Sequence, residues 1–141
     1  MAFDADVLIY AAAEGHPIGA RVASLFADAD ERADAAGVGS VLLLAEVLTK
    51  PMRDDPGSDE TAALISLLSR LDLRPLDDAT ARLALALAIS YGLRAADAAH
   101  LATAVAAGAE RFLTNNRKDF PQTITEIDVV YPDELPGAAP A

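Results

Sequence analysis

Short apolar runs that read as strands alternate, along the whole sequence, with longer stretches in which apolar residues recur at helical spacing. Strands joined through helices lie parallel, and a parallel sheet must be covered on both faces. The expected fold class is therefore α/β, a three-layer α/β/α domain around a central parallel sheet of about five short strands. Residues 2–10 (AFDADVLIY) read as the first strand, interrupted by two acids. From Ile18, the positions Ile18, Val22, Leu25 and Phe26 keep helical period. Gly37, Val38 and Gly39 form a brief strand or turn, and Ser40 is a plausible N-cap for a helix over residues 41–50 that Pro51 stops. Residues 53–60 read as a loop, and the helix after it turns Leu64, Ile65, Leu67, Leu68 and Leu71 inward. A short strand over 73–76 leads to Asp77 or Asp78, which caps a helix reaching Tyr91, with Gly92 as C-cap. A helix over 95–107 closed by Gly108 precedes strands over 111–114 and 127–131. One domain over residues 1–135, followed by a flexible tail over 136–141, accounts for the chain.

Composition narrows the chemistry. Of 141 residues 52% are hydrophobic but only 5% aromatic, so the core must be built from Leu, Val, Ile and Ala. The absence of cysteine excludes disulfides, thiolate-held zinc and cysteine nucleophiles, and it fits a reducing, cytoplasmic setting. Asp4 and Asp6 fall where the apolar core of a secretory leader would have to begin, and no run of apolar residues is long enough to span a membrane. The formal net charge of −11 argues against a module that holds nucleic acid mainly by neutralising phosphates. It favours carboxylates gathered around cations, or a basic partner that covers them.

Carboxylates set in apolar surroundings are the informative residues. Asp4 is expected at the carboxyl end of the first strand, the rim where open α/β sheets bind ligands. Asp6, two residues on, is as readily explained by hydrogen bonds to the following turn. Glu46 is the sole charge within residues 41–49 (VLLLAEVLT), a helix that reads as apolar all round and hence buried. Asp97 sits in the first turn of its helix, where it also complements the helix dipole. His100, one turn on, reads as a hydrogen-bonded core residue rather than a ligand. Asp119 follows a late strand by the polar turn Asn115-Asn116-Arg117-Lys118, on the same rim as Asp4. Acids converging on one rim raise one another's pKa, and one or two hard divalent cations, Mg2+ or Mn2+, relieve that repulsion. Such cations, held by carboxylates, polarise phosphodiesters.

The pattern resembles the PIN-domain family, and within it the VapC-type toxins of bacterial toxin–antitoxin pairs. Residues 3–10 (FDADVLIY) are similar to that family's opening Asp-x-Asn or Asp-x-Ser with an apolar run. Residues 40–46 resemble its Ser-led helix bearing a Glu, residues 97–104 (DAAHLATA) its most recognisable segment, and residues 113–121 (LTNNRKDFP) its Thr-x-Asp/Asn ending in Asp-Phe. The resemblance implies a PIN-like domain and a metal-dependent endoribonuclease, commonly a homodimer restrained by a small antitoxin protein. It assigns Asp4, Glu46, Asp97 and Asp119 as the catalytic, metal-holding acids, with Thr114 and Asn116 as polar neighbours. Asp6 departs from the pattern's Asn or Ser, and Asn116 stands where many members carry Asp, so the carboxylate count is kept.

Two other readings compete. Residues 3–8 (FDADVL) also resemble the Asp-x-Asp nucleophile motif of haloacid-dehalogenase-type phosphatases, with Asp4 attacking phosphorus and Asp6 as acid–base, but that leaves Glu46 and DAAHLATA without a role. The other is a PIN-like module with a weakened centre that only binds a partner.

Overall fold

The computed structural model of the chain describes residues 1–136, so the tail expected over 136–141 lies, apart from Pro136, outside the described residues. Five strands, β1 (Ala2–Phe3), β2 (Gly37–Ser40), β3 (Leu71–Arg74), β4 (Arg111–Leu113) and β5 (Asp128–Val130), form one sheet in the order β3-β2-β1-β4-β5. Every pairing is parallel. Six helices connect them: α1 (Ala5–Ala12), α2 (Pro17–Glu31), α3 (Leu42–Asp54), α4 (Asp59–Ser69), α5 (Asp78–Tyr91) and α6 (Ala95–Ala106).

Side chains of a strand alternate between faces, and that alternation separates two cores. Phe3, Leu113 and Val130 join Leu8, Phe26, Leu43 and Leu64 of α1 to α4. Ala2, Phe112 and Val129 point the other way, to Leu87 of α5 and Leu101 and Ala102 of α6. The sheet is thus sandwiched between two layers of helices, as parallel sheets are. From β1 the chain first builds β2 and β3 on one side, then crosses by α5 and α6 to β4 on the other. The order reverses between β1 and β4, and open α/β sheets bind ligands in the crevice at that point.

Several boundaries differ from expectation, each for a physical reason. The run after Phe3 is helix, not strand: Asp4 accepts the Ala5 N–H at 2.8 Å and caps α1, whose buried Val7 and Leu8 pack among other helices. Pro51 does not stop α3, which continues to Asp54. A proline lacks one donor and crowds the preceding turn, yet the Pro51 carbonyl still accepts the Asp55 N–H at 2.8 Å. The loop expected over 53–60 shrinks accordingly to the few residues between α3 and α4. β3 lies two residues earlier than expected, and Ile65, expected inside, is exposed. The caps at the other end of the chain are where the sequence puts them: Asp77 accepts the Thr80 N–H at 2.8 Å, and Gly92 ends α5 at φ 67°. Ser40, although one residue outside the formal cap, still accepts the Leu42 N–H at 3.2 Å.

Candidate functional site

Asp4 leaves the end of β1 into the switch-point crevice and is 5% exposed. Besides the Ala5 N–H on Oδ1, its Oδ2 accepts the Thr114 hydroxyl at 2.7 Å. Thr114 is the first residue beyond β4 and is wholly buried; its oxygen in turn accepts the Asn116 N–H at 3.1 Å. Asp6, in the first turn of α1, accepts the Asn115 N–H at 3.1 Å on Oδ2. The exits of the two central strands are thereby stitched together by carboxylates, and Asp6 Oδ1 is left buried without a partner.

The third acid comes from α6. Asp97 lies in that helix's first turn, and its Oδ2 is also buried with no hydrogen bond. The exposed guanidinium of Arg94 stands 3.7 Å from Asp97 Oδ2 and 3.9 Å from Asp119 Oδ2, spanning the two acids. Asp119 is fixed by Asn116: the Asn116 amide donates to Asp119 Oδ2 at 2.9 Å, and Asn116 Oδ1 accepts the Asp119 N–H at 3.3 Å. Asn116 therefore spends its carbonyl oxygen on the turn.

Glu46 arrives from α3, in a setting unlike the expected one. The helix is not buried all round: Leu43 and Val47 face the core while Val41 and Leu44 are exposed. Glu46 itself bonds across to α6. Its Oε2 meets Nε2 of His100 at 2.7 Å, and His100, on α6 three residues beyond Asp97, is buried as expected.

Charge crowding follows from this placement. Burial pushes the Asp4 carboxyl above its ordinary range, against the pull of the Thr114 hydroxyl. Burial and then the Asp4 charge push Asp6 up to about 7. Burial also raises Asp97; Arg94 opposes it, while Asp119 and Glu46 add to it. Asp97 is thus within electrostatic reach of each of the other four acids. Among the described residues no three His, Asp or Glu side chains already enclose an ion-sized space. The donor set nonetheless suits a hard divalent cation: it is all oxygen, it is over-supplied with negative charge, and two of its buried carboxylate oxygens lack partners.

The His100–Glu46 bond was not read as part of the site from sequence. The signal for His100 was its i,i+3 spacing from Asp97, which puts both on one side of α6.

Residues 1–124 match the sequence model of the PIN domain. Among solved structures the chain resembles a chain of a toxin-antitoxin complex from Klebsiella pneumoniae, with 26% identity and a TM-score of 0.60, over 94% of this chain and 98% of that one. A search of curated proteins finds no match.

Proposed function

The chain belongs to the PIN domain family, whose members are generally nucleases, and from that premise we propose that it is a metal-dependent endoribonuclease, the toxin of a toxin–antitoxin pair. The observation that carries the reading is the pair of buried oxygens without a hydrogen bond beside Asp4 at the switch point, Asp6 Oδ1 and Asp97 Oδ2, the second approached only by Arg94 at 3.7 Å. An isolated carboxylate in such a place would protonate, or find a cation.

In this reading Asp4, Glu46, Asp97 and Asp119 hold one or two Mg2+ or Mn2+ ions, supported by Asp6, Thr114 and Asn116. Magnesium commonly keeps several waters and takes one or two carboxylates, so a complete protein cage is not required. When bound, such a cation supplies charge neutralisation and polarises a phosphodiester. Thr114 keeps Asp4 in one rotamer, and Arg94 at the rim is placed to meet a phosphate oxygen. Asp97, whose Oδ2 makes no hydrogen bond, suits acceptance of a proton from the attacking water. There is no cysteine, and His100 is engaged with Glu46, so water is the nucleophile. In-line attack then leaves 5′-phosphate and 3′-hydroxyl ends. The family match over residues 1–124 removes the ground for a phosphatase with Asp4 as covalent nucleophile.

Partners fit the same reading. A groove of about 520 Å³ between α1, α3 and α4 starts at Glu46 and is lined by Ile9, Lys50, Asp54, Glu60 and Leu64. Apolar walls with mostly acidic rims suit a basic amphipathic segment of a small antitoxin. Leu85 and Ile89, 63% and 75% exposed on α5, support a homodimer. Among the described residues no helix is long and apolar enough to cross a membrane, and we place the protein in the cytoplasm. The test is cleavage of single-stranded RNA with Mg2+ or Mn2+, with chelator, and with Asp4→Asn or Asp97→Asn. Metal-dependent cleavage lost in both variants is expected. Full activity in chelator, or products ending in 2′,3′-cyclic phosphate, would defeat the proposal.

A further inference from the structure

Glu46 and His100 are unequal partners. Glu46 stands on the solvent side of α3, a helix that packs chiefly against α4 and α1, and its side chain has three free torsions. Among the described residues its sole hydrogen-bond partner is His100. His100 is 2% exposed, and its neighbours Ala99, Leu101 and Ala102 on α6 are buried too. A ring so enclosed has one orientation. Its Nδ1 faces no partner and is cut off from solvent, so the tautomer that fits carries its hydrogen on Nε2 and donates to the carboxylate. A histidine kept only for packing has no need of that bond, and without it nothing else would restrain the glutamate. Because Asp97 and His100 lie one turn apart, a single helix sets both an acid of the centre and the anchor of another. His100 is also within electrostatic reach of Asp4 and Asp97, so the anchor stands inside the acid cluster.

We propose that His100 is a positioning residue: it donates its Nε2 hydrogen to Glu46 Oε2 and thereby holds that carboxylate beside Asp97, ready for a divalent cation. This rests on the metal-dependent reading above. Hydrogen-bonding partners behind metal-ligating groups are commonly worth 10- to 100-fold in metal affinity, and an effect of about tenfold or more is expected here.

Two measurements test it. Long-range 1H–15N NMR on the unaltered protein reads the ring nitrogens without any substitution: a hydrogen on His100 Nε2 is expected, and a ring that carries its hydrogen on Nδ1 alone overturns the proposal. Mn2+ titration followed by electron paramagnetic resonance then compares the wild type with His100→Asn, His100→Gln, His100→Ala, Glu46→Ala and Asp97→Asn. The glutamine amide nitrogen reaches the place of Nε2 and that of asparagine does not, so His100→Gln should recover most of the affinity that His100→Asn loses. In a Glu46→Ala background, His100→Ala should cost nothing further. Wild-type affinity in His100→Asn and His100→Ala, with Glu46→Ala and Asp97→Asn weakened, overturns the positioning role and leaves the metal centre standing. A wild-type protein that binds no Mn2+ overturns both.

Discussion

Asp6→Asn should stabilise the metal-free protein, by an amount that grows with pH. The folded carboxyl keeps its proton up to about pH 7, because burial and the neighbouring Asp4 charge disfavour ionisation; the ordinary value is 3.8. Between those two values the unfolded chain has released a proton that the folded chain still holds. Ionisation of the unfolded state therefore draws stability away as pH rises through that window, and the loss is complete above about pH 7. At 1.36 kcal/mol per pH unit the gap sets a ceiling of about 4 kcal/mol. Solvent reaches part of this half-buried group and screens it, so an observed effect of about 1–2 kcal/mol is expected.

Asparagine preserves the shape and the oxygen that accepts the Asn115 N–H, but it introduces an amide donor where Oδ1 now has no partner. That donor adds a cost that does not depend on pH, so the discriminating quantity is the change in the mutant–wild-type difference, not its absolute value. Urea denaturation in chelator at intervals from pH 4.5 to 8 measures it. The difference should move in favour of the variant by about 1–2 kcal/mol across the range, or by about 4 °C in Tm for each kcal/mol, and level off above pH 7. A difference that stays constant, or that shifts against the variant as pH rises, would refute the premise that Asp6 is a crowded acid.

Other consequences are as direct. Thr114→Val removes the hydroxyl that Asp4 Oδ2 accepts at 2.7 Å and should cost about 1–3 kcal/mol in denaturation at neutral pH, together with most of the RNA cleavage. Mg2+ at a hundred times its Kd should raise stability by about 2.7 kcal/mol, and Asp97→Asn should abolish most of that gain in a thermal shift measurement. Six of the arginines already pair with surface carboxylates, while Arg94 stands against Asp97 and Asp119 and Lys50 lines the groove that starts at Glu46. The slope of log affinity for single-stranded RNA against log salt should accordingly be shallow, about −1 to −2, and Arg94→Ala should reduce it by about 0.7. Gly19→Ala would set a Cβ 2.0 Å from the Tyr10 carbonyl oxygen where α1 and α2 meet, and should lower stability by about 2–4 kcal/mol by equilibrium unfolding.

The layers of this fold were legible where its helices carry terminal signals. Asp77 and Gly92 bracket α5, and Gly108 follows α6, so segment type is settled by local hydrogen bonding and by glycine's freedom at positive φ. What local pattern could not decide was the first strand. In residues 2–10 every residue but the two aspartates is apolar or aromatic, and such a run suits a buried strand and a buried helix equally. The choice is made by Asp4, whose side chain caps the next turn, and by four helices packed on that face of the sheet. Pro51 misled for the opposite reason. A proline's missing donor and its ring act on the turn before it, and the residues after it can still continue the helix, as they do here to Asp54.

Glu46 shows how a site residue can be found on mistaken grounds. It was singled out as a lone charge in an apolar helix, on the premise that such a helix is buried; the helix is half exposed, and a lone glutamate on it would need no explanation at all. What gives Glu46 its place is contributed from 54 residues away, by a histidine that is apolar in its surroundings and polar at one atom. No periodicity within α3 encodes that contact; only the packing of α6 against the sheet does. The acids at the ends of β1 and β4 differ in this respect, because any parallel strand delivers its next residue to the same rim, so Asp4 and Thr114 could be placed from strand order alone. The crowding itself is also a property of the assembled fold: Asp6 and Asp97 are ordinary turn acids in sequence and acquire raised proton affinities only when β1, β4 and α6 bring them to one crevice. Carboxylates that repel in this way destabilise the folded chain, and a sequence that keeps them there gives up stability for a function that needs concentrated negative charge.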